Sequence, residues 1–555
     1  MTSLGAVLES SWRVTVGFAA LTGACFHQTI RPFEVDNYGW GLVLAYLGLV
    51  GSLFMSYMIS TSFSVTKGIL HTWAAGAAFL GGFYGSMLLY RAFFHPLRKF
   101  PGPAAARLSN AYHFTIAART NMQYHLHLQK LHQRYGDFVR TGPRELSVIR
   151  ESAINLLYSS SSVCKKATWY DQNSGDPDAV SVQSVRDKEK HRLRRRAWDR
   201  GLGFRALGTY KTRLKAKVDL LLSRIGTGKP VDMTEYGMFY SFDVMGDIGF
   251  SKDFQMLLTG EEHPAVAGLH EALDIAGLFT TIPWLMNMLR VVPGATGKFD
   301  KFARWCREEL NLKRRSLDSA ISADKDYEPH DVMSWLIKAQ RDHTGAPTEA
   351  AMQEDSRILV MAGSDTVASA FTNALYYLAK NPRVYEIIQH LMETEFPGGY
   401  EEWTYDRAKA VPYLDYIIHE TLRLRPPTPI GFLRQTPPEG LQIDEVFVPG
   451  DTVISVPTWA VQRDPRYFEK ADEFVPERWE KLSPDKSAYI SFQRGPYACV
   501  GKQLAMMQLR ILISCIALRY HIVFAPGEDG VAFATGEKEK MTLWVPPLHI
   551  VFTPK

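Results

Sequence analysis

Three apolar stretches crowd into the first ninety residues, about Val14 to Ile30, Gly39 to Ile59 and Ile69 to Tyr90. A helix of roughly 20 residues spans the hydrocarbon core of a bilayer, so the second and third are long enough to cross. The first is shorter and ends on His27 and Gln28. A cleaved signal peptide is the competing reading of that first stretch, but it lacks a clearly basic leading segment and a convincing cleavage site. Small residues in the third (Ala74, Ala75, Gly76, Ala77, Ala78, Gly81, Gly82 and Gly85) suit close packing of helices in lipid. Residues 1–90 are therefore expected to form a membrane region of two or three transmembrane helices.

A basic, proline-containing segment follows, R-A-F-F-H-P-L-R-K-F-P-G-P at residues 91–103. Arg91, Arg98, Lys99 and Arg107 place this side of the membrane in the cytosol by the positive-inside rule. Three spans then leave the N-terminus in the lumen. The prolines predict a stiff, extended hinge over residues 91–109, and the remainder, 110–555, is expected to be one domain. Length alone would allow about three or four domains, yet no repeat, low-complexity tract or long polar linker divides the chain after about residue 110. Five cysteines (Cys25, Cys164, Cys306, Cys499 and Cys515) show no paired spacing, which suggests a reducing compartment. The formal charge is +5, and the most basic run is Arg186 to Arg200. Without a nucleic-acid module around it, that run is not expected to bind nucleic acid.

Cys499 stands in the stretch F-Q-R-G-P-Y-A-C-V-G (Phe492 to Gly501), immediately before an amphipathic helical pattern, Lys502 to Arg519. A thiol at a helix mouth meets the positive end of the macrodipole, which favours the thiolate. Gly495 and Gly501 permit tight turns and close approach of the backbone to a flat ligand. A thiolate held in this way suits the axial position of a haem iron, whereas a lone cysteine is more commonly a buried structural residue. Three further segments bear on that choice: A-G-S-D-T (Ala362 to Thr366), E-T-L-R (Glu420 to Arg423) and F-V-P-E-R-W (Phe474 to Trp479). Taken in this order with the cysteine loop, they make the chain from about Arg91 onward resemble the cytochrome P-450 family of haem-thiolate monooxygenases, and in particular fungal microsomal members of specialised metabolism.

The resemblance implies a mainly α fold with small β-sheets, preceded by the membrane helices. It implies haem b, its iron ligated by Cys499, with Phe492 and Gly501 in the loop against the ring. On the helix Met352 to Lys380, Ala362 and Gly363 would make room for O2 while Asp365 and Thr366 manage protons. Glu420 and Arg423 share a helix face and would both pair with Arg478 to hold the cysteine loop; their role is structural. His191 and Arg195, one helical turn apart, match propionate-binding positions, as does Arg434. Tyr497 departs from the family, standing where arginine or histidine is usual, and a tyrosine brings no positive charge. Gln508 likewise replaces a frequent glutamate. The pocket would be lined by the segment from Lys165 to Val185 and by Met361, Ala362, Thr366, Ile430, Phe432 and Leu433, consistent with a small lipophilic substrate.

With no room for a fused reductase, a separate NADPH-dependent flavoprotein reductase would supply electrons, docking near Arg494 and Lys502. The implied location is the endoplasmic reticulum membrane with the catalytic domain in the cytosol. The implied reaction is insertion of one oxygen atom from O2 into an alkaloid, polyketide or terpenoid intermediate. A haem-thiolate isomerase or dehydratase acting without O2 and a non-enzymatic membrane haem protein remain as alternatives. The acid-threonine pair argues against the first, and the whole Ala-Gly-Ser-Asp-Thr segment against the second.

Overall fold

Each apolar stretch of the N-terminal region becomes a helix: α1 (Trp12–Ile30), α2 (Gly39–Ser60) and α3 (Val65–Leu89). The computed structural model describes residues 12–60, 64–173, 176, 178–324, 327–342 and 347–555. Helices α1 and α3 pack together where glycine removes the side chain: a Cβ on Gly23 would sit 2.0 Å from the Phe79 carbonyl oxygen, and one on Gly82 1.9 Å from that of Ala20. Gly81 and Gly85, in contrast, face open space. His27 Nδ1 meets the Ser86 hydroxyl at 2.9 Å across the same seam. Of the three helices, only α2 (Gly39–Ile59, mean hydropathy 2.0) is apolar enough over its length to count as a candidate membrane span.

The segment after α3 is not the extended hinge that its prolines predict. It continues as a π turn (Tyr90–Phe94), a short 3-10 turn (Pro96–Lys99) and a five-residue helix (Ala104–Leu108). Leu97 and Ala106 are fully buried, and Arg140 donates its backbone N–H to the Pro101 carbonyl at 2.8 Å. Burial of these apolar side chains outweighs the stiffness of the prolines, so the joint is docked on the domain.

The rest is mainly helical with small sheets. The largest sheet has five strands: β1 (Phe138–Arg140), β2 (Glu145–Val148), β3 (Lys165–Lys166), β4 (Arg434–Gln435) and β5 (Val453–Ser455), in the order β1-β2-β5-β4-β3. A second sheet joins Pro230–Asp232, His549–Pro554 and Tyr520–Phe524. The helices that bear on the site include α4 (Lys188–Gly201), α5 (Met233–Phe250), α6 (Pro264–Phe279) and α7 (Pro283–Arg290). They are followed by α8 (Glu349–Lys380), α9 (Pro412–Leu424) and α10 (Lys502–Arg519).

Helix α8 has 32 residues, about 48 Å at 1.5 Å per residue, and its buried residues cover every face. Thr348 caps its start, accepting the Ala351 N–H at 3.1 Å, and Asn381-Pro382 ends it. Helix α10 begins where the periodicity predicts, but it is buried all round rather than on one stripe. The amphipathic reading of α10 is therefore corrected: it is a core helix, packed among α8, α9 and neighbouring helices.

Candidate active site

Cys499 lies between a short 3-10 turn (Gly495–Tyr497) and the first residue of α10. Its N–H donates to the Phe492 carbonyl at 2.9 Å, closing the loop. Gly495 has φ +67°, and a Cβ there would lie 2.2 Å from the Tyr158 carbonyl oxygen, so this turn admits no side chain. The sulfur belongs to the interior of the domain, yet Cys499 keeps accessible surface facing a cavity. Burial pushes its thiol pKa up, against the opposing pull of the Gly501 and Lys502 amides and of Arg195. The Gly501 and Lys502 amides at the helix mouth favour the thiolate, as the macrodipole argument expects, while burial opposes it; a coordinated metal ion deprotonates a thiol outright.

The cavity measures about 1060 Å³. Cys499, Phe492 and Gly501 border it, as do Met361, Ala362, Asp365 and Thr366 of α8 and the turn residues Ile430, Phe432 and Leu433. Of the Lys165–Val185 segment, Lys165 to Tyr170, Val182 and Gln183 line it, while residues 174, 175 and 177 lie outside the described residues. The Thr366 hydroxyl donates to the Ala362 carbonyl one turn back, at 2.8 Å. Gly363 has a packing reason of its own: a Cβ there would come within 2.6 Å of Met245 on α5. Asp365 is 8% exposed, and His270 Nε2 on α6 lies 3.5 Å from its carboxylate. His270 Nδ1 meets Glu262 at 2.5 Å on its other side. Burial lowers the His270 pKa, but the two carboxylates outweigh it and raise it to about 9, so the ring is charged at neutral pH. Sequence reasoning missed this histidine, because nothing local links residue 270 to Asp365.

A basic cluster closes one side of the cavity. His191 and Arg195 project from α4, whose first turn is capped by the Asp187 side chain accepting from Lys190 N–H at 2.7 Å. The His191 ring stands edge-on to Tyr497 at 4.5 Å; burial and the neighbouring cations hold its pKa down at about 3. Arg195 donates to the Ala498 carbonyl at 2.7 Å and pairs with Asp199 at 2.7 Å. Arg434, 1% exposed, lies 5.0 Å from the centre of the Tyr497 ring.

Lys166 was not foreseen as part of this cluster. It is 3% exposed, and its Nζ stands 4.4 Å from the Tyr497 ring centre. Lys166 and Arg434 are directly opposed in the β3–β4 ladder. Like charges so placed repel, and burial lowers the Lys166 pKa well below its usual value, helped by Arg434, Arg194 and Arg195. Period-two alternation separates exposed Lys165 from buried Lys166, a signal readable only once a strand is assigned there.

Arg434 Nε and the Tyr497 hydroxyl are buried without a hydrogen-bond partner among the described residues. Orphaned buried donors beside opposed cations fit an anionic ligand edge, and haem presents two carboxylates. The donor set thus fits haem: a sulfur for the iron and a cationic rim for the propionates.

The structural triad differs from expectation in its wiring. Glu420 and Arg423 are fully buried and doubly hydrogen-bonded at 2.9 Å. Arg478 reaches Glu420 at 3.0 Å but does not pair with Arg423. The carboxylate is the hub, and Arg423 instead donates to the carbonyls of Gln462, Ala471 and Glu473. Two guanidinium groups repel, so only Glu420 can join them.

The cytochrome P-450 family profile matches residues 101–551. The chain belongs to the cytochrome P-450 family. It is 63% identical over 285 residues to a cytochrome P-450 monooxygenase of a Phoma species, covering 51% of this chain and all of that relative. A monooxygenase of Fusarium pseudograminearum is 36% identical over 482 residues, 85% of each chain. Tryprostatin B 6-hydroxylase of Aspergillus fumigatus is 30% identical over 561 aligned positions, 99% of this chain and 97% of the relative. The protein is accordingly a cytochrome P-450 monooxygenase, an oxidoreductase that uses O2, a redox-partner reductase and a cysteine-ligated haem on a lipophilic substrate. Its apolar helix α2 is consistent with membrane anchoring.

Haem retention tests the rim. A neutral hydrogen bond nets about 1 kcal/mol, and one to a charged group roughly 1.5–3. Tyr497→Phe is expected to lower haem occupancy slightly, whereas Arg434→Ala or Lys166→Met lowers it clearly, as measured by haem-to-protein ratio during dialysis. Equal retention by all three variants would remove the cationic rim from the account.

Proposed function

We propose that this chain is a membrane-bound monooxygenase of fungal specialised metabolism that hydroxylates or epoxidises a lipophilic alkaloid, polyketide or terpenoid intermediate. The observation that carries this reading is one cavity bordered both by Cys499 and by the Ala362–Thr366 segment of α8. Cys499 holds the iron of haem b, while His191, Arg195, Arg434, Lys166 and Tyr497 hold the propionates. The haem, when bound, supplies the oxidative chemistry. Ala362 leaves space beside Thr366; Thr366 Oγ1 holds a proton at the pocket face of α8, and Asp365, kept in place by His270, exchanges protons with it. Met361, Ile430, Phe432 and Leu433 form an apolar wall that orients the substrate. Glu420, Arg423 and Arg478 keep the cysteine loop in place and take no part in the chemistry.

Electrons come from an NADPH-dependent flavoprotein reductase docking near Arg494 and Lys502. Residues 1–90 anchor the protein in the endoplasmic reticulum membrane, with residues 110–555 as the cytosolic catalytic domain. The relative named as a hydroxylase favours hydroxylation within this range. The test is to compare metabolites of a host carrying this chain and a reductase with those of a host carrying the reductase alone. Product that forms without O2 and NADPH overturns the monooxygenase reading in favour of an isomerase or dehydratase.

The proton role of Thr366 has its own expected result. Thr366→Ala should retain haem but divert NADPH consumption to hydrogen peroxide, lowering product formed per NADPH by about a hundredfold, the lower end of what positioned proton transfer contributes. Tightly coupled turnover in that variant would remove Thr366 from the proton path.

A further inference from the structure

The loop between α1 and α2 does not hang free between two membrane helices. Arg31, Pro32, Phe33, Glu34 and Val35 border the same cavity as Cys499 and Thr366. The C-terminal flank of the loop is fixed to the catalytic domain at α7. Trp40 Nε1 donates to the Met288 carbonyl at 2.9 Å, and Asn287 Nδ2 donates to Asn37 Oδ1 at 2.6 Å. Gly39 lies under Met288, where a Cβ would come within 2.8 Å of the methionine side chain.

The centre of the loop is fixed through Glu34. Its carboxylate takes two hydrogen bonds from Arg186, at 3.1 and 3.3 Å. Arg186 also pairs with Asp171 at 2.6 Å and donates to the Lys166 carbonyl on β3 at 3.1 Å. Burial raises the Glu34 pKa, but Arg186, helped by Lys165, outweighs it, so the carboxylate is ionised. Phe33, the neighbour of this ion pair, stays 66% exposed. An aromatic ring held on a fixed loop at a cavity edge offers apolar contact area to whatever occupies that cavity.

We propose that residues 31–35 form the outer wall of the substrate site, so that the membrane region helps select the substrate instead of acting only as an anchor. The occupant is the apolar distal part of an elongated lipophilic substrate, lying against Pro32 and Phe33. Glu34 is a positioning residue: tied to Arg186, which it shares with Asp171, it holds the wall in place. This inference rests on the cavity being the haem and substrate site.

The test uses the full chain in detergent and two probes whose imidazole nitrogen ligates the iron and shifts its Soret band. Imidazole reports the iron alone; 1-dodecylimidazole must also lodge its tail in the cavity. Phe33→Ala is expected to weaken 1-dodecylimidazole about tenfold, as loss of an aromatic contact area predicts, with imidazole affinity unchanged. Glu34→Gln, which loosens the loop but leaves its apolar surface intact, is expected to weaken the long probe less than Phe33→Ala and likewise to spare imidazole. Unchanged affinity for both probes in both variants makes the loop a tether and overturns the proposal. Equal weakening of both probes places the effect at the haem and also overturns it. If the parent protein binds neither probe at iron, the haem reading itself fails, and this inference with it.

Discussion

Replacing Cys499 by alanine is expected to abolish the strongly red-shifted Soret band of the reduced carbon-monoxide complex, together with all monooxygenase turnover. The other cysteines cannot substitute. Cys164, Cys306 and Cys515 are buried, and none of them borders the cavity. Burial pushes the thiol pKa up in each, to about 12 for Cys515. Cys25 lies on α1 and does not border the cavity either. Alanine at Cys164, Cys306 or Cys515 should therefore leave the band in place in whatever fraction folds. Cys499→Ala removes no packing on its cavity side, so the fold is expected to survive even though the spectral signature is lost. A band retained by Cys499→Ala would show that the ligand is another residue.

Legibility tracks how local each feature is. The cysteine loop, the Ala362–Thr366 segment and α10 were readable because a helix start, a glycine and a polar group within an apolar helix are all statements about neighbours in sequence. Residues 191 and 195 were placed together by helical spacing and assigned to the site by the family resemblance, and both border the cavity. Lys166 was not readable: its burial depends on an antiparallel pairing with Arg434, 268 positions away in the numbering, across a strand of only two residues. His270 was missed for the same reason, since its partners Glu262 and Asp365 come from separate segments.

The polarity of α10 was misjudged because periodicity along a helix cannot report how many sides neighbours cover. Among the first ninety residues, hydropathy indicated helices but not that residues 34–40 would dock on the catalytic domain. That docking rests on Trp40, Asn37 and Glu34 meeting partners about 150 to 250 residues away. The hinge failed for a different reason: proline content reports local stiffness and says nothing of the burial that Leu97 and Ala106 gain on the domain.

Loss of the Glu420 carboxylate is expected to be the most damaging change outside the haem site. Both of its oxygens are fully buried and accept five donors: Arg423 Nε and Nη2 at 2.9 Å, Arg478 Nε at 3.0 Å, the Val475 N–H at 2.9 Å and Trp479 Nε1 at 3.0 Å. Glu420→Ala strips the counter-charge from two guanidinium groups, Arg423 with no exposed side-chain surface and Arg478 with 8%. Breaking a buried pair in this way costs about 3–5 kcal/mol, against a total stability of roughly 5–15 kcal/mol for a folded domain.

Little haem-loaded Glu420→Ala protein should therefore accumulate, and what does should unfold at a much lower temperature. Glu420→Gln keeps the shape and one acceptor but turns an amide N–H toward donors, so it should fall between alanine and the parent. Arg478→Lys should be milder still, because an ammonium can remain near the carboxylate even though the contacts to the Glu469 and Lys470 carbonyls are lost. The decisive measurement is turnover per mole of bound haem in whichever variants retain some. It should match the parent, because neither Glu420 nor the two arginines it binds border the cavity. A fall in turnover per haem, with haem content and unfolding temperature preserved, would move Glu420 from scaffold to chemistry.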